Sequence, residues 1–304
     1  MLFRQCRGSL SVFAPAKLNL FLEILGRRAD GFHELETLMI SVGIYDTLVF
    51  REGNAGETQL LCHHFESSNP KTSDGVSSLP VNEEENLAFK AAKLLREYSG
   101  TTRGVRIGLF KRIPIASGLA GGSSDAAATL AGLNRFWNLG ICRTELIRLA
   151  GKLGSDVGFF LSRTPLAICR GRGEIVTPVN LPGKMWFVIV RPCTGLSTPA
   201  VFRECQPAKK PKRVEVLLND LKSGRYDRLN HSMYNALQKP AGQLNQEIFE
   251  LRKRFSTLPI SGHMMTGSGT AYFGVCTSRR HAENMASRLK RMHLGSVFVA
   301  GSGP

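Results

Sequence analysis

Residues 114–128, Pro-Ile-Ala-Ser-Gly-Leu-Ala-Gly-Gly-Ser-Ser-Asp-Ala-Ala-Ala, put a turn rich in glycine and serine directly before a strong helix former. Gly118, Gly121 and Gly122 carry no Cβ, so the backbone there can take positive φ and come close to an anion, while Ser123, Ser124 and Asp125 are good helix N-cap residues. A helix that starts at such a turn presents free N–H groups and a partial positive charge, and phosphate is the anion this geometry favours.

The familiar phosphate loops do not fit. A Walker A loop ends in Gly-Lys followed by Ser or Thr, whereas Gly151-Lys152 and Gly183-Lys184 continue with Leu and Met. A dinucleotide fingerprint, Gly-x-Gly-x-x-Gly after an apolar strand, is replaced by Gly-x-x-Gly-Gly behind a basic strand over residues 105–113. Taken alone, the loop also suits a tight turn before an Ala-rich core helix.

The 304 residues suffice for about two domains and a sizeable core. No apolar run approaches the roughly 18 to 20 residues of a membrane span. Arg4 and Arg7 lie in an opening segment without the apolar core of a secretory signal, and a cytoplasmic protein is expected. The seven cysteines form no Cys-x-x-Cys pair, and His63-His64 lacks a third ligand at metal spacing, so neither a disulfide framework nor a protein-held metal is expected. A formal charge of +16 attracts polyanions, but the basic residues are dispersed and few aromatics interleave with them. A surface that handles nucleotide phosphates accounts for this charge; a basic nucleic-acid-binding module is the remote alternative, and no nucleic-acid or membrane partner is expected.

Apolar alternation over residues 10–25 predicts a half-buried strand, Asp30-Gly31 a turn, and residues 38–50 one or two further strands around a break at Tyr45-Asp46. The polar residues 51–85 read as surface loop with few functional residues. Helical spacing follows over residues 86–98, then a strand at 105–113 and a helix over 124–139. Thr144 is read as the cap of a helix that ends near Gly151, and Gly154-Ser155-Asp156 as the opening of a short helix carrying Val157, Phe159 and Phe160 into the core. Strands at 166–170 and 174–178 lead to a boundary at 181–184. Beyond it come a strand at 186–190, a helix at 199–204, a variable basic stretch at 207–225, helices within 231–256, a strand around 271–276, a helix at 279–292 and a last strand at 296–300. An α+β architecture follows.

Three segments stand out together: Ala-Pro-Ala-Lys-Leu-Asn-Leu at 14–20, the glycine loop, and Met-Met-Thr-Gly-Ser-Gly-Thr at 264–270. Their order and spacing resemble the GHMP kinase superfamily. Gly-Arg-Arg-Ala-Asp-Gly-Phe-His-Glu-Leu at 26–35, Gly-Ser-Asp-Val-Gly-Phe-Phe at 154–160, Asn235-x-Leu237 and Lys239-Pro240-Ala241 are similar to the branch that phosphorylates a cytidine-diphosphate polyol in the non-mevalonate route to isoprenoid precursors. The likeness spans nearly the whole chain and is poor only at 51–85 and 207–225.

The resemblance implies an α+β two-domain GHMP kinase fold. Its N-terminal ATP-binding domain, residues 1–180, is like domain 2 of ribosomal protein S5; its C-terminal domain, residues 181–304, is a ferredoxin-like α/β sandwich; the active site lies in the cleft between them. It implies ATP as phosphoryl donor under Pro114, Ile115, Ala116, Ser117, Gly118, Leu119, Ala120, Gly121, Gly122, Ser123 and Ser124, with Mg2+ arriving on the nucleotide and no protein carboxylate assigned to the ion. Asp156 is implied as the base that accepts the hydroxyl proton, and Lys17 as the cation that orients it and stabilises charge. Asn19, Phe32, His33, Asp156 and Thr198 are implied to hold the acceptor, a cytidine-diphosphate polyol phosphorylated on its 2-hydroxyl, by a monomer or weak homodimer. Phe32 stands where Tyr is common, which preserves stacking but removes a phenolic hydrogen bond. Ala116 and Ala120 stand where some relatives have Gly, which suits a negative φ at both. Other members of the superfamily, of the homoserine or mevalonate kinase type, are the alternative enzyme reading.

Overall fold

The computed structural model describes residues 1–65, 76–77, 83–181 and 183–303. The first part of the chain forms β1 (Leu2–Cys6), β2 (Ser9–Arg27), β3 (His33–Gly53), β4 (Thr58–Phe65), β5 (Val76–Ser77), α1 (Leu87–Ser99), β6 (Gly104–Lys111), α2 (Gly121–Phe136), α3 (Arg143–Ala150), α4 (Val157–Leu161), β7 (Leu166–Gly171) and β8 (Ile175–Pro178). The rest forms β9 (Trp186–Arg191), α5 (Thr198–Glu204), α6 (Val214–Lys222), α7 (Leu229–Ser232), β10 (Tyr234–Asn235), α8 (Gln238–Leu244), α9 (Glu247–Phe255), β11 (Gly262–Met265), β12 (Tyr272–Cys276), α10 (Arg279–Lys290) and β13 (Ser296–Gly301).

The antiparallel pair β2 and β3 is the spine. Apolar residues on both faces let the two long strands be buried over most of their length, and register shifts at Pro15/Ala16, Asn19/Phe21 and Ile24/Gly26 bend them. The bend lets one strand serve two neighbours: Leu35 to Ile40 of β3 pair with β7, while Thr47 to Gly53 pair with β6. The break expected at Tyr45-Asp46 is thus a bulge within one continuous strand.

The first sheet runs β1-β2-β3-β6-β4-β5, with β7 and β8 continuing from β3 and β10 added in parallel to β2. Helices α1 to α4 cover it, and Ala126, Ala127, Ala128, Leu130 and Leu133 of α2 pack into a core with Leu10, Val12, Leu48 and Phe50. The second sheet, β11-β12-β9-β13, is antiparallel throughout. A further core joins the two: Ala16, Leu18 and Leu20 of β2 belong with Phe187, Ile189, Met264 and Phe273 of the second sheet and Leu217 and Leu221 of α6. We propose the division at 180/181; the passage from β8 in the first sheet to β9 in the second supports it, and β10 crosses back.

The elements depart from the sequence reading in several places. β1 pairs along β2 where no strand was expected. β4, within the supposed surface loop, lies parallel to β6 with Thr58 opposite Val105, and the rest of that loop falls largely outside the described residues. The basic stretch contains α6, whose Val214, Leu217, Leu218 and Leu221 are buried. Cys142, not Thr144, precedes α3. Among the described residues no helix is long and apolar enough to cross a membrane.

Phe50 is fully buried in the core under α2, its ring against Gly132. Phe50→Ala is expected to lower the unfolding free energy by about 3–5 kcal/mol, read from the urea midpoint, because the cavity adds to the lost transfer energy.

Candidate active site

The glycine loop is held from both sheets. Leu119 accepts a hydrogen bond on its carbonyl from the Lys17 amide of β2 at 3.1 Å, and Ser117 accepts one from the Ala271 amide, beside β12, at 2.9 Å. The Ser117 hydroxyl donates to the Pro114 carbonyl at 2.6 Å, closing the turn. Gly118 has φ of 79°, and a Cβ there would stand 2.2 Å from the Thr266 carbonyl oxygen. No other residue fits between the glycine loop and the 264–270 segment.

Helix α2 begins at Gly121, three residues earlier than expected. Its cap is Ala120, in left-handed conformation with φ of 57°, and Ala116 has φ of 52°. Both alanines therefore carry the positive φ that the substitution for Gly was expected to avoid. Ser123, Ser124 and Asp125 lie inside the first turn, not at the cap. Ser123 lines the cleft beside Gly121 and Gly122, whereas Ser124 is fully buried with no hydrogen-bond partner for its hydroxyl among the described residues, and Leu119 is core.

Beneath the loop sits a buried ionic cluster. Lys111 donates to a carboxylate oxygen of Asp46 and, at 2.6 Å, to Asp125 Oδ2. The other oxygen of Asp46 accepts the backbone N–H groups of Arg112 and Ile113, the latter at 2.8 Å. The end of β6, the bulge in β3 and the start of α2 are thereby tied to one ammonium. Burial pushes the Asp125 carboxyl up to about 7, Lys111 opposes the rise and Asp46 adds to it; the two carboxylates raise the pKa of Lys111 against its own desolvation.

Lys17 and Asp156 meet where the loop faces the rest of the cleft. Lys17 Nζ donates to Asn19 Oδ1 at 2.6 Å and lies 3.5 Å from Asp156 Oδ2. The lysine side chain is 4% exposed and the aspartate 25%, so the ammonium is fixed while the carboxylate faces the cavity. Asp156 precedes α4 yet makes no side-chain capping bond, so its position is not explained by helix capping. Asn19 is itself fixed: its Nδ2 donates to Thr37 Oγ1 at 2.8 Å, which donates to the Phe21 carbonyl at 2.6 Å, and its backbone N–H donates to Thr266 Oγ1 at 3.0 Å. Asn235 donates to the carbonyls of Met265 and Gly267 at 2.9 and 2.8 Å, shaping the third loop.

The cleft, about 820 Å³, continues past this pair to Phe32, His33 and Thr198. Arg28 donates to Asp30 and Glu34, and Asp30 accepts the Phe32 amide, which builds the turn that presents the ring. The His33 ring lies 5.3 Å from that of Phe202, and burial followed by the charge of Arg27 lowers its pKa, so the neutral imidazole is favoured. Thr198 Oγ1 is 2.8 Å from Ser268 Oγ, joining α5 to the third loop. The cleft thus brings together Lys17, Asn19, Phe32, His33, Asp156, Thr198 and all the loop residues named from sequence except Leu119 and Ser124.

Sequence reasoning missed Lys111, Asn86, Cys62 and His64 at the loop end, and Arg172, Phe202 and Arg203 at the other. Helical spacing and the N-cap pattern signalled α1, where Asn86 Oδ1 accepts the Ala88 N–H at 2.9 Å; the others had no local signal.

A glycine loop at a helix start, a lysine-aspartate pair and an aromatic pocket share one cleft between two α+β layers, as suits a small-molecule kinase of the GHMP class. The family described as GHMP kinases N terminal domain matches residues 86–163, and GHMP kinases C terminal matches residues 217–295. A 4-diphosphocytidyl-2-C-methyl-D-erythritol kinase of Alkaliphilus metalliredigens is 37% identical over 285 residues, covering 92% of this chain and 93% of its own. A solved 4-(cytidine 5'-diphospho)-2C-methyl-D-erythritol kinase is 35% identical with a TM-score of 0.78, covering 97% of this chain and 99% of that one. The chain belongs to this kinase family. A homoserine kinase from Cytophaga hutchinsonii, 18% identical with a TM-score of 0.74 over all of this chain and 97% of its own, shares the fold.

Lys111→Met leaves Asp46 and Asp125 buried together without their cation, and is expected to cost about 3–5 kcal/mol of stability in urea unfolding. Asp125 has a folded pKa above its unfolded value, so its contribution is present below about pH 4 and is lost as pH rises through about 7. Asp125→Asn is therefore expected to gain in melting temperature relative to wild type as pH is raised from 5 to 8.

Proposed function

We propose that this chain transfers the γ-phosphoryl group of ATP to the 2-hydroxyl of 4-diphosphocytidyl-2-C-methyl-D-erythritol, a step toward isoprenoid precursors. The observation that carries the chemistry is the Lys17-Asp156 pair, 3.5 Å apart, between an anion-binding helix start and an aromatic pocket. The named relatives support the choice of acceptor.

Phosphoryl transfer demands alignment and charge stabilisation more than covalent chemistry from the protein. The N–H groups at the start of α2, with the preceding loop, bind the phosphates of ATP. Asp156 accepts the hydroxyl proton. A carboxylate is a far weaker base than an alkoxide, so the proton moves late, as the bond to phosphorus forms. Lys17, fixed by Asn19 and 3.5 Å from Asp156, orients the carboxylate and neutralises charge that develops on the attacking oxygen. Mg2+ normally retains water and takes most of its protein-bound contacts through substrate phosphates. Ser123, lining the cleft in the first turn of α2, fits as the hydroxyl that would hold it, and the ion would offset the negative charge of the transferring group.

At the acceptor end Phe32 stacks on the cytosine, His33 meets its polar edge, and Asn19 and Thr198 face the diphosphate or polyol. The assembly proposed is a monomer or weak homodimer. Seven unpaired cysteines and the need for ATP suit the cytoplasm.

The test follows ADP release and the phosphorus spectrum of the product with Mg-ATP and the cytidyl acceptor, with mevalonate and homoserine in parallel. A new phosphomonoester on the cytidyl acceptor alone is expected; turnover only with another alcohol would overturn the acceptor assignment. Asp156→Asn and Lys17→Ala are each expected to lower kcat by about 10²- to 10⁴-fold while ATP still binds by titration calorimetry. His33→Ala should chiefly raise KM for the cytidyl acceptor.

A further inference from the structure

Three arginines, Arg27, Arg172 and Arg203, line the cleft without an ion pair to any described carboxylate within 4.0 Å, in contrast to Lys17 and Lys111, which are paired. Arg172 is the one with a defined place. It sits in the turn between β7 and β8, where the Glu174 carboxylate accepts its backbone N–H at 2.6 Å. Its guanidinium carbon lies 4.6 Å from the centre of the Phe32 ring, and among the described residues its side-chain hydrogen bond is a long one, 3.4 Å, to the Gly151 carbonyl. The same turn packs on the aspartate segment: a Cβ at Gly173 would lie 3.4 Å from Ser155 Cβ and 3.7 Å from Asp156 Oδ1.

Phe32 is 49% exposed at the tip of the β2-β3 hairpin. An exposed ring on a turn has no packing of its own to hold its plane, and a planar cation over one face supplies it. A guanidinium has five N–H donors; stacking uses none of them and the contact with Gly151 uses one, so the remainder are available to oxygen acceptors in the cleft. The chemical class that meets both halves of this arrangement is a pyrimidine nucleoside diphosphate, whose base stacks on the open face of Phe32 while its phosphates accept from the arginine.

We infer that Arg172 is a specificity-determining residue for the acceptor: it braces Phe32 from behind and donates to the diphosphate of the acceptor nucleotide. The inference rests on the acceptor assignment above. It also accounts for Phe at position 32, since a ring fixed by a guanidinium needs no phenolic hydrogen bond to be positioned.

The experiment measures CDP binding by titration calorimetry and steady-state kinetics for wild type, Arg172→Gln and Arg172→Lys, with melting temperatures to show that each variant is folded. Arg172→Gln should weaken CDP and raise KM for the acceptor by about tenfold or more, with KM for ATP and kcat within about twofold, since cation-π and charge-assisted contacts are lost together. Arg172→Lys keeps the charge without the planar fork and should fall between. Combining Arg172→Gln with Phe32→Leu should cost less than the sum of the two single changes, because the shared contact is lost only once. CDP affinity in Arg172→Gln within twofold of wild type, or equal loss of CDP and ATP, would overturn the inference alone. Failure of the wild-type protein to bind CDP would instead overturn the acceptor assignment on which it rests.

Discussion

The glycine loop is useful only because it is clamped. Loose glycines sample many conformations, and ordering each residue costs on the order of 1–2 kcal/mol, so an unsupported loop would order itself at the expense of phosphate binding. Here the Leu119 carbonyl is tied to β2, the Ser117 carbonyl to the backbone beside β12, and the Gly118 Cα stands too close to the Thr266 carbonyl for any side chain. The clamp draws on both sheets, so the relative placement of the two layers and the shape of the glycine loop are the same structural fact. Ala116 and Ala120 at positive φ are the local strain this arrangement sustains.

Charge is arranged in two tiers around that clamp. The deeper tier, Lys111 with Asp46 and Asp125, faces mostly protein and acts through position: one buried ammonium fixes three chain segments at the head of α2. Such a cluster is a weak source of net stability, because desolvation offsets much of the attraction, but losing one member is costly. The shallower tier, Lys17 with Asp156, leaves its carboxylate open to the cleft and its ammonium held by Asn19. This contrast in exposure, more than distance, supports a structural role for the first cluster and the reactive role proposed for the second.

Much of this was legible in the sequence wherever a local pattern and a chemical need coincided. The glycine loop, the apolar alternation of β2, and the Gly154-Ser155-Asp156 turn announced themselves, and the three separated motifs converge on one cleft. Errors arose where local signals were masked. The apolar positions Val214, Leu217, Leu218 and Leu221 follow helical spacing, yet the preceding lysines and prolines hid α6 in a basic stretch. β4 reads as polar because it lies near the sheet edge, with its Leu61 exposed and its His63 stacked on Phe110. Ser124 seemed equivalent to Ser123 until the start of α2 was fixed at Gly121; a rotation of about 100° per residue then sends one hydroxyl to the cleft and the other into the core. Phe202 and Arg172 meet the pocket only through tertiary packing, which no spacing rule encodes.

Whether donor and acceptor meet at the Lys17-Asp156 pair would be seen in a crystal structure with a non-hydrolysable ATP analogue and the cytidyl acceptor bound together. The terminal phosphate is expected at the head of α2, and the acceptor 2-hydroxyl within about 3.2 Å of an Asp156 oxygen and in line with the terminal phosphorus. An acceptor seated with its hydroxyl beyond reach of Asp156, or a nucleotide whose phosphates avoid the glycine loop, would contradict it.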